Sequence, residues 1–288
     1  MDNPDFRIIY LFTDLLAPLI VGCLLYRHGK ISDALISRIL RLNVIIIYTV
    51  LALMSCWTLP ISWDLALIPI YGILIVLVPG VVGWAFFIRK YRSPLDRGAY
   101  LANAMMSNIT TVGGVCAYII YGEQGFAYAQ IMGIFQTLLL VLAVFPMAQY
   151  YYLQYKNHGS GGKIHMRFLD IFLSWNQLSI LGMAAGLALN AAGIERPPAV
   201  GTAFEGLIHF GAWFGMLPVG ALVNLHRARR YAPYTLDLFA LRFLILPVFM
   251  MAISYPFVRD PILLGAILVF SVTPGAINSV TATKLYRL

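Results

Sequence analysis

Long apolar runs, each close to the roughly 20 residues that a helix needs to cross a bilayer, recur along this chain and are broken by charge, proline or glycine. They predict helices over about 8–26, 38–58, 65–88, 99–121, 126–153, 171–192, 199–225, 236–257 and 262–283. The fourth and ninth are the least hydrophobic, with Asn, Thr, Gly or Pro in their middles. Composition agrees with the pattern. Of 288 residues, 60% are hydrophobic and 11% charged, against about 25% charged in an ordinary globular domain. Too few polar side chains exist to cover a water-facing surface, so the expected fold is an all-α integral membrane protein with nine visible spans.

The net charge of +8 does not point to nucleic acid, because the basic residues form no amphipathic face interleaved with aromatics. They sit in short loops instead. Sixteen of the 20 Lys and Arg follow odd-numbered spans, from Arg27 and Lys30 through Arg89 and Lys90 to Lys284 and Arg287. Only Arg7, Arg196 and Arg259 lie on the opposite side, and Arg242 falls inside the eighth span. By the positive-inside rule this places the basic loops in the cytoplasm and the N-terminus outside a cell membrane. The opening "MDNPDF" lacks the basic leader of a cleaved signal peptide, so the first run is expected to be a retained span. Cys23, Cys56 and Cys116 lie in apolar stretches without metal-ligand spacing, and neither metal nor cofactor is expected.

A Gly-rich, basic stretch at 154–170 is expected to be a cytoplasmic linker between a first half at 1–153, with five spans, and a second half at 171–288, with four. An offset of 164 residues lays the first span over the sixth, matching Gly22 with Gly186, Leu25 with Leu189 and Gly29 with Gly193. A unit with an odd number of spans enters the membrane the other way up when repeated, which gives the inverted repeat of secondary transporters. The two polar spans are then each fourth in their half. "SNITTVGGV", with Thr110, Thr111, Gly113 and Gly114, and "SVTPGAINSV", with Thr273, Pro274, Gly275 and Ser279, are poor sequences for an uninterrupted helix. Interrupted helices in hydrocarbon are tolerated where their freed backbone groups are buried in protein or face a water-filled cavity. Matching interruptions therefore point to a mid-membrane site, where helix N-termini suit an anion and the Asn108 and Asn278 amides add donors and acceptors.

The opening "GCLLYRHGKIS", the "SNITTVGG" followed by "YGEQGFAYAQI", and the late "TPGAINSVTATKLY" resemble the auxin efflux carrier family, plant PIN-type carriers and bacterial malonate and malate permeases, over nearly the whole chain. The resemblance implies ten spans in a five-plus-five inverted repeat, a scaffold and a transport domain, a homodimer, and Asn108 and Asn278 beside the crossover helping to hold a substrate carboxylate. Two departures stand out. Val115 occupies the place where the family usually has a proline, and the chain stops at Leu288 after the ninth span, one helix short.

Charges within hydrocarbon are costly and tend to be functional. Asp14 lies part-way into the first span, while Glu205 and His209 stand one turn apart on the seventh, which makes these three candidates for proton coupling. A satisfied hydrogen bond or an aqueous vestibule would explain them equally. Asn43, Gln130 and Gln136 are expected to bond between helices, Asp170 and Asp237 to cap helix starts, and Met105, Met106, Met250 and Met251 to pack the core. No H-E-x-x-H, G-x-S-x-G or paired intramembrane aspartate marks an enzyme. The expectation is a secondary carrier of a small organic anion, auxin-like or a mono- or dicarboxylate. A sodium-coupled symporter of the bile-acid type is the alternative, followed by a channel or a receptor.

Overall fold

A computed structural model of the chain describes residues 9–156, 178–223 and 235–276. No β-strand occurs among them. Helices α1 (Ile9–Arg27), α2 (Asp33–Trp57) and α3 (Trp63–Lys90) are followed by the shorter α4 (Pro94–Met105). Helices α5 and α6 cover 109–121 and 123–156 and are divided at Gly122, whose φ of 68° only glycine adopts without strain. Then come α7 (Leu178–Ala191), α8 (Pro198–Leu222), α9 (Leu236–Ser254) and α10 (Pro261–Ser271). Helices α1, α2, α3 and α9 and the continuous run Ile109–Lys156 are each long and apolar enough to cross a membrane, as expected of an all-α membrane protein. Helix α8 has the length, with 25 residues, but carries Glu205 and His209.

Both polar runs carry an interruption, but the first falls at 106–108, ahead of Thr110, Thr111, Gly113 and Gly114, which the sequence marks as helix-breaking and which are helical from Ile109 on. Helix α4 starts on Ser93, whose side chain accepts from Leu95 N–H, with Pro94 in the first turn. Helix α10 starts the same way on Asp260 and Pro261, with Ile262 N–H donating to the carboxylate. These helices have only 12 and 11 residues, a rise of roughly 18 Å, little more than half of a bilayer core. The fourth span thus begins earlier than its hydropathy suggests and breaks at 106–108. The ninth stops at Ser271, and the continuation expected to 283 lies outside the described residues beyond 276, as do 157–170 of the linker and 171–177 of the sixth span.

The described residues form two compact units, each drawn from both halves of the sequence. The first contains 9–62, 110–131 and 178–223, and the second 63–109, 132–156 and 235–276. In the first unit the helix contacts are close enough to exclude a side chain. A Cβ on Gly22 of α1 would lie 2.0 Å from Leu217 O of α8, and one on Gly220 of α8 would lie 2.1 Å from Leu19 O of α1. Likewise Gly182 and Gly186 of α7 face Thr49 O and Leu53 O of α2 at 2.2 and 2.3 Å. Small residues let helix backbones approach in this way in a membrane, where apolar burial gives no driving force between helices.

The residues matched at the 164-residue offset play matching local parts. Gly29 and Gly193, with φ of 67° and 68°, end α1 and α7 in the same motif, in which Lys30 N–H bonds Leu25 O and Ile194 N–H bonds Leu189 O. Gly22 and Gly186 are both close-packing glycines.

Candidate functional site

In the second unit the ends of α4 and α10 run into two short extended segments that pair with each other. Ser107 and Gly275 form an antiparallel bridge, closed by Asn108 N–H to Pro274 O at 2.9 Å and Ala276 N–H to Met106 O at 3.0 Å. Each interrupted helix so satisfies part of the backbone that the other has freed, which is the condition for a break in hydrocarbon. The bridge rests on a core of Val76, Ala102, Met105, Met106, Leu140, Val144, Phe145 and Ala276.

Two polar side chains complete the crossing. Gln136 of α6 donates from Nε2 to Ser107 O, and Arg242 of α9 donates from Nη1 to Ser107 Oγ at 2.7 Å and from Nη2 to Met106 O at 2.6 Å. Arg242 is 2% exposed. Beside the bridge is a half-open cavity of about 210 Å³ whose walls include Asn103, Phe239, Arg242, Phe243, Pro274 and Gly275. At one end of this unit Tyr91 donates to Asp237, which also meets Lys90 at 3.5 Å and accepts from Leu238 N–H. Burial and the Asp237 carboxylate push the Tyr91 hydroxyl above its ordinary value, so it stays a donor. Asp237 is not the cap of α9, whose first flanking residue is Thr235 with no side-chain cap bond; it lies in the first turn, where its carboxylate accepts from Leu238 N–H, while Asp170 lies outside the described residues.

The residues proposed from sequence divide between the units. Asn108, Thr273, Pro274 and Gly275 belong to the crossing. Asn108 is buried and contributes its N–H to the bridge, while the Thr273 hydroxyl is turned back to Phe270 O at 2.8 Å. Pro274 and Gly275 are exposed on the cavity. Thr110, Thr111, Gly113 and Gly114 fall in the first unit. There Gly114 packs on Phe126 and Ala129, and Thr111 converges with Asn43 and Tyr48 on Gly215 of α8. Asn278 and Ser279 lie outside the described residues.

The first unit holds a separate polar cluster. His209 Nδ1 of α8 lies 2.5 Å from Asp14 Oδ2 of α1, and Asp14 is 4% exposed. Tyr10 stacks on the imidazole with ring centroids 4.5 Å apart, and Tyr118 meets it edge-on at 6.2 Å. The partner of His209 is therefore Asp14 on another helix; Glu205, one turn earlier on α8, is exposed.

Asp14, Asn43, Thr110, Thr111 and Arg242 all lie in π-turns, at Phe12–Leu16, Asn43–Ile47, Ile109–Gly113 and Leu241–Ile245. Such widened turns often accompany functional groups, although two more, at Gly83–Phe87 and Leu140–Val144, carry no candidate residue. Sequence reasoning assigned Arg242 no role, although a lone arginine inside an apolar span was itself the signal. It also passed over Asn103, Glu123, whose carboxylate pairs with Arg196, and Asn190, whose amide donates to Cys56 O and Leu59 O and so closes the end of α2. Gln136 bonds between helices as expected. Gln130 is buried, and its Nε2 has no partner among the described residues. Of the three free cysteines Cys56 is buried, and Cys23 and Cys116 are half-buried. No family model matches the chain, and a search of curated proteins finds no similar one.

Proposed function

We propose that the protein is a secondary carrier that moves a small organic anion across a membrane by alternating access. The observation that carries this reading is the pairing of two interrupted helices at Ser107 and Gly275, with a cavity beside the bridge. A helix broken within a membrane costs backbone hydrogen bonds, and discontinuous helices meeting near the midplane are how carriers build a site. The tight α1·α8 and α2·α7 contacts support an inverted repeat, because each joins the first span of one half to the second span of the other. The family resemblance supports the same reading, with Asn108 and Asn278 at the substrate.

Purified protein in liposomes tests it. Uptake of labelled mono- or dicarboxylates is expected to saturate, and to fall at least about tenfold on Asn108→Ala or Asn278→Ala, the loss of one good polar contact to a charge. A conductance that rises without saturation would instead identify a channel.

The Asp14–His209 pair supports proton coupling as the driving force. An imidazole and a carboxylate in contact can share or release one proton as their surroundings change; Tyr10 and Tyr118 face the imidazole, and the Thr13 hydroxyl donates to Asp14. Uptake is expected to respond to an imposed pH gradient in the wild type and to lose that response in His209→Gln and Asp14→Asn while exchange of internal for external anion continues. An equal response in all three proteins would remove the pair from coupling, and a response to a sodium gradient alone would favour the sodium symporter.

A further inference from the structure

We propose that the cavity beside the helix crossing binds a singly charged small organic anion whose charge is met by Arg242. The inference deepens the carrier reading and rests on it for the claim that the bound anion is cargo. Buried charges are ordinarily paired, yet the guanidinium of Arg242, 2% exposed, meets no carboxylate among the described residues. Its two Nη bonds go to the neutral Ser107 hydroxyl and the Met106 carbonyl. Its Nε–H is buried without a partner among the described residues. The C-terminal end of α4 offers the partial negative charge of its last carbonyls, about half an elementary charge, so a net positive charge is left at the cavity wall.

The guanidinium does two separable things. Through Nη1 and Nη2 it holds the interrupted segment at 106–107, and through its unpaired charge at the cavity wall it suits an anion. Asn103, which also borders the cavity, keeps its Nδ2 on Ala99 O at 2.9 Å, while its Oδ1 stands nearest Gly275. The neighbouring walls are apolar, with Phe239 and Phe243 packed on each other, ring centroids 4.8 Å apart. Arg242 is the one formal charge among the described residues that line the cavity. A monoanion would therefore match the formal charge of Arg242 and leave only the partial charge of the α4 terminus, whereas a dianion would leave a further full negative charge in a low-dielectric setting, which is costly. The volume, about 210 Å³, is that of roughly seven water molecules and takes a carboxylate with a few carbon atoms inside the half-open cavity.

The test is thermal stabilisation of the purified full chain in detergent, titrated at about pH 7.5, where carboxylic acids are ionised, with formate, acetate, propionate, malonate and propionamide. Propionamide has the shape of propionate without its charge. The wild type is expected to be stabilised by at least one of the three monoanions, with malonate and propionamide at least about tenfold weaker, the factor expected when a charged partner is lost. Arg242→Gln is expected to lose that response by a similar factor, and Arg242→Lys, which retains the charge, to keep most of it. Failure of all three monoanions, equal binding of propionamide, or an unchanged response in Arg242→Gln would each overturn the proposal. Where Arg242→Gln does not fold, Gly275→Leu localises the site instead. It fills the cavity and leaves the Arg242 bonds in place, so a retained monoanion response there is equally fatal. Liposome flux separates the two readings. Binding that depends on Arg242 without transport would sink the carrier, while transport with unchanged KM in Arg242→Gln would sink the Arg242 site alone.

Discussion

Gly186→Leu will yield no folded protein. A Cβ at this position would lie 2.3 Å from Leu53 O and 3.1 Å from Cys56 Cβ, and the first of these is backbone, which cannot turn aside as a side chain can. Relief requires α7 to move away from α2, and that separation would break the neighbouring approach at Gly182 and the bonds from Asn190 to Cys56 O and Leu59 O. Overpacking a core typically costs about 1–3 kcal/mol; a branched side chain against a carbonyl at this distance should exceed about 3 kcal/mol, much of what a domain has to lose. Size-exclusion profiles and melting curves in detergent check it. Gly206→Ala on α8 is the matched control, since nothing lies within 4 Å of its Cβ position, and its melting temperature should stay at or slightly above the wild-type value, because alanine is the better helix former. A well-folded, unshifted Gly186→Leu would show that α2 and α7 do not pack as described.

Gln136→Leu will lower stability by about 1–3 kcal/mol, the cost of leaving a buried carbonyl without its donor, and will reduce anion uptake further than the loss of stability explains. Gln136 is 5% exposed and its amide is the side-chain donor to Ser107 O. That carbonyl belongs to a segment that has left its helix to pair with Gly275, so it has no helical N–H to fall back on. Leucine fills similar space, which keeps the packing term small and isolates the hydrogen bond. With the anchor gone, the bridge would be held through Arg242 and its two backbone bonds, and the cavity that the same segment borders should lose its definition. The measurement is a melting curve together with initial uptake rates normalised to folded protein. A stability loss without a change in uptake would make Gln136 purely structural, and no change in either would show that water takes its place.

The spans were legible because apolar length and interrupting charge are local properties. Among the described residues each expected run shares a start or an end, within a few residues, with an observed helix; Pro274 and Gly275 mark the second interruption, whereas the first falls at 106–108, ahead of Thr110, Thr111, Gly113 and Gly114, which are helical. Ends were less legible where a cap decides them. Ser93–Pro94 starts α4 before its hydropathy rises, because a side-chain cap and a proline at the first turn set a boundary that apolar content does not report.

The candidate site was legible only in part, for a different reason. Asp14 and His209 could each be flagged as an ionisable group within an apolar run, but their pairing depends on α1 lying against α8, and nothing at positions 14 or 209 records which helix is the neighbour. For the same reason Arg242 was visible as a charge in an apolar span and Gln136 as an expected interhelical bond, without either being tied to the carbonyls at 106 and 107. Thr111 and Gly114 adjoin Asn108 in sequence yet serve the other unit, since the chain passes from one to the other at 109–110.

By itself the sequence determined the solvent this protein folds in, the approximate course of its helices and the two places where they stop short, because each follows from side-chain chemistry read over one helix turn or one bilayer thickness. The tertiary structure alone decided that the two stops meet, which glycines admit a neighbouring backbone, and which buried charge is left without a counter-charge. Those are properties of distances between residues far apart in the chain, and a one-dimensional pattern does not contain them.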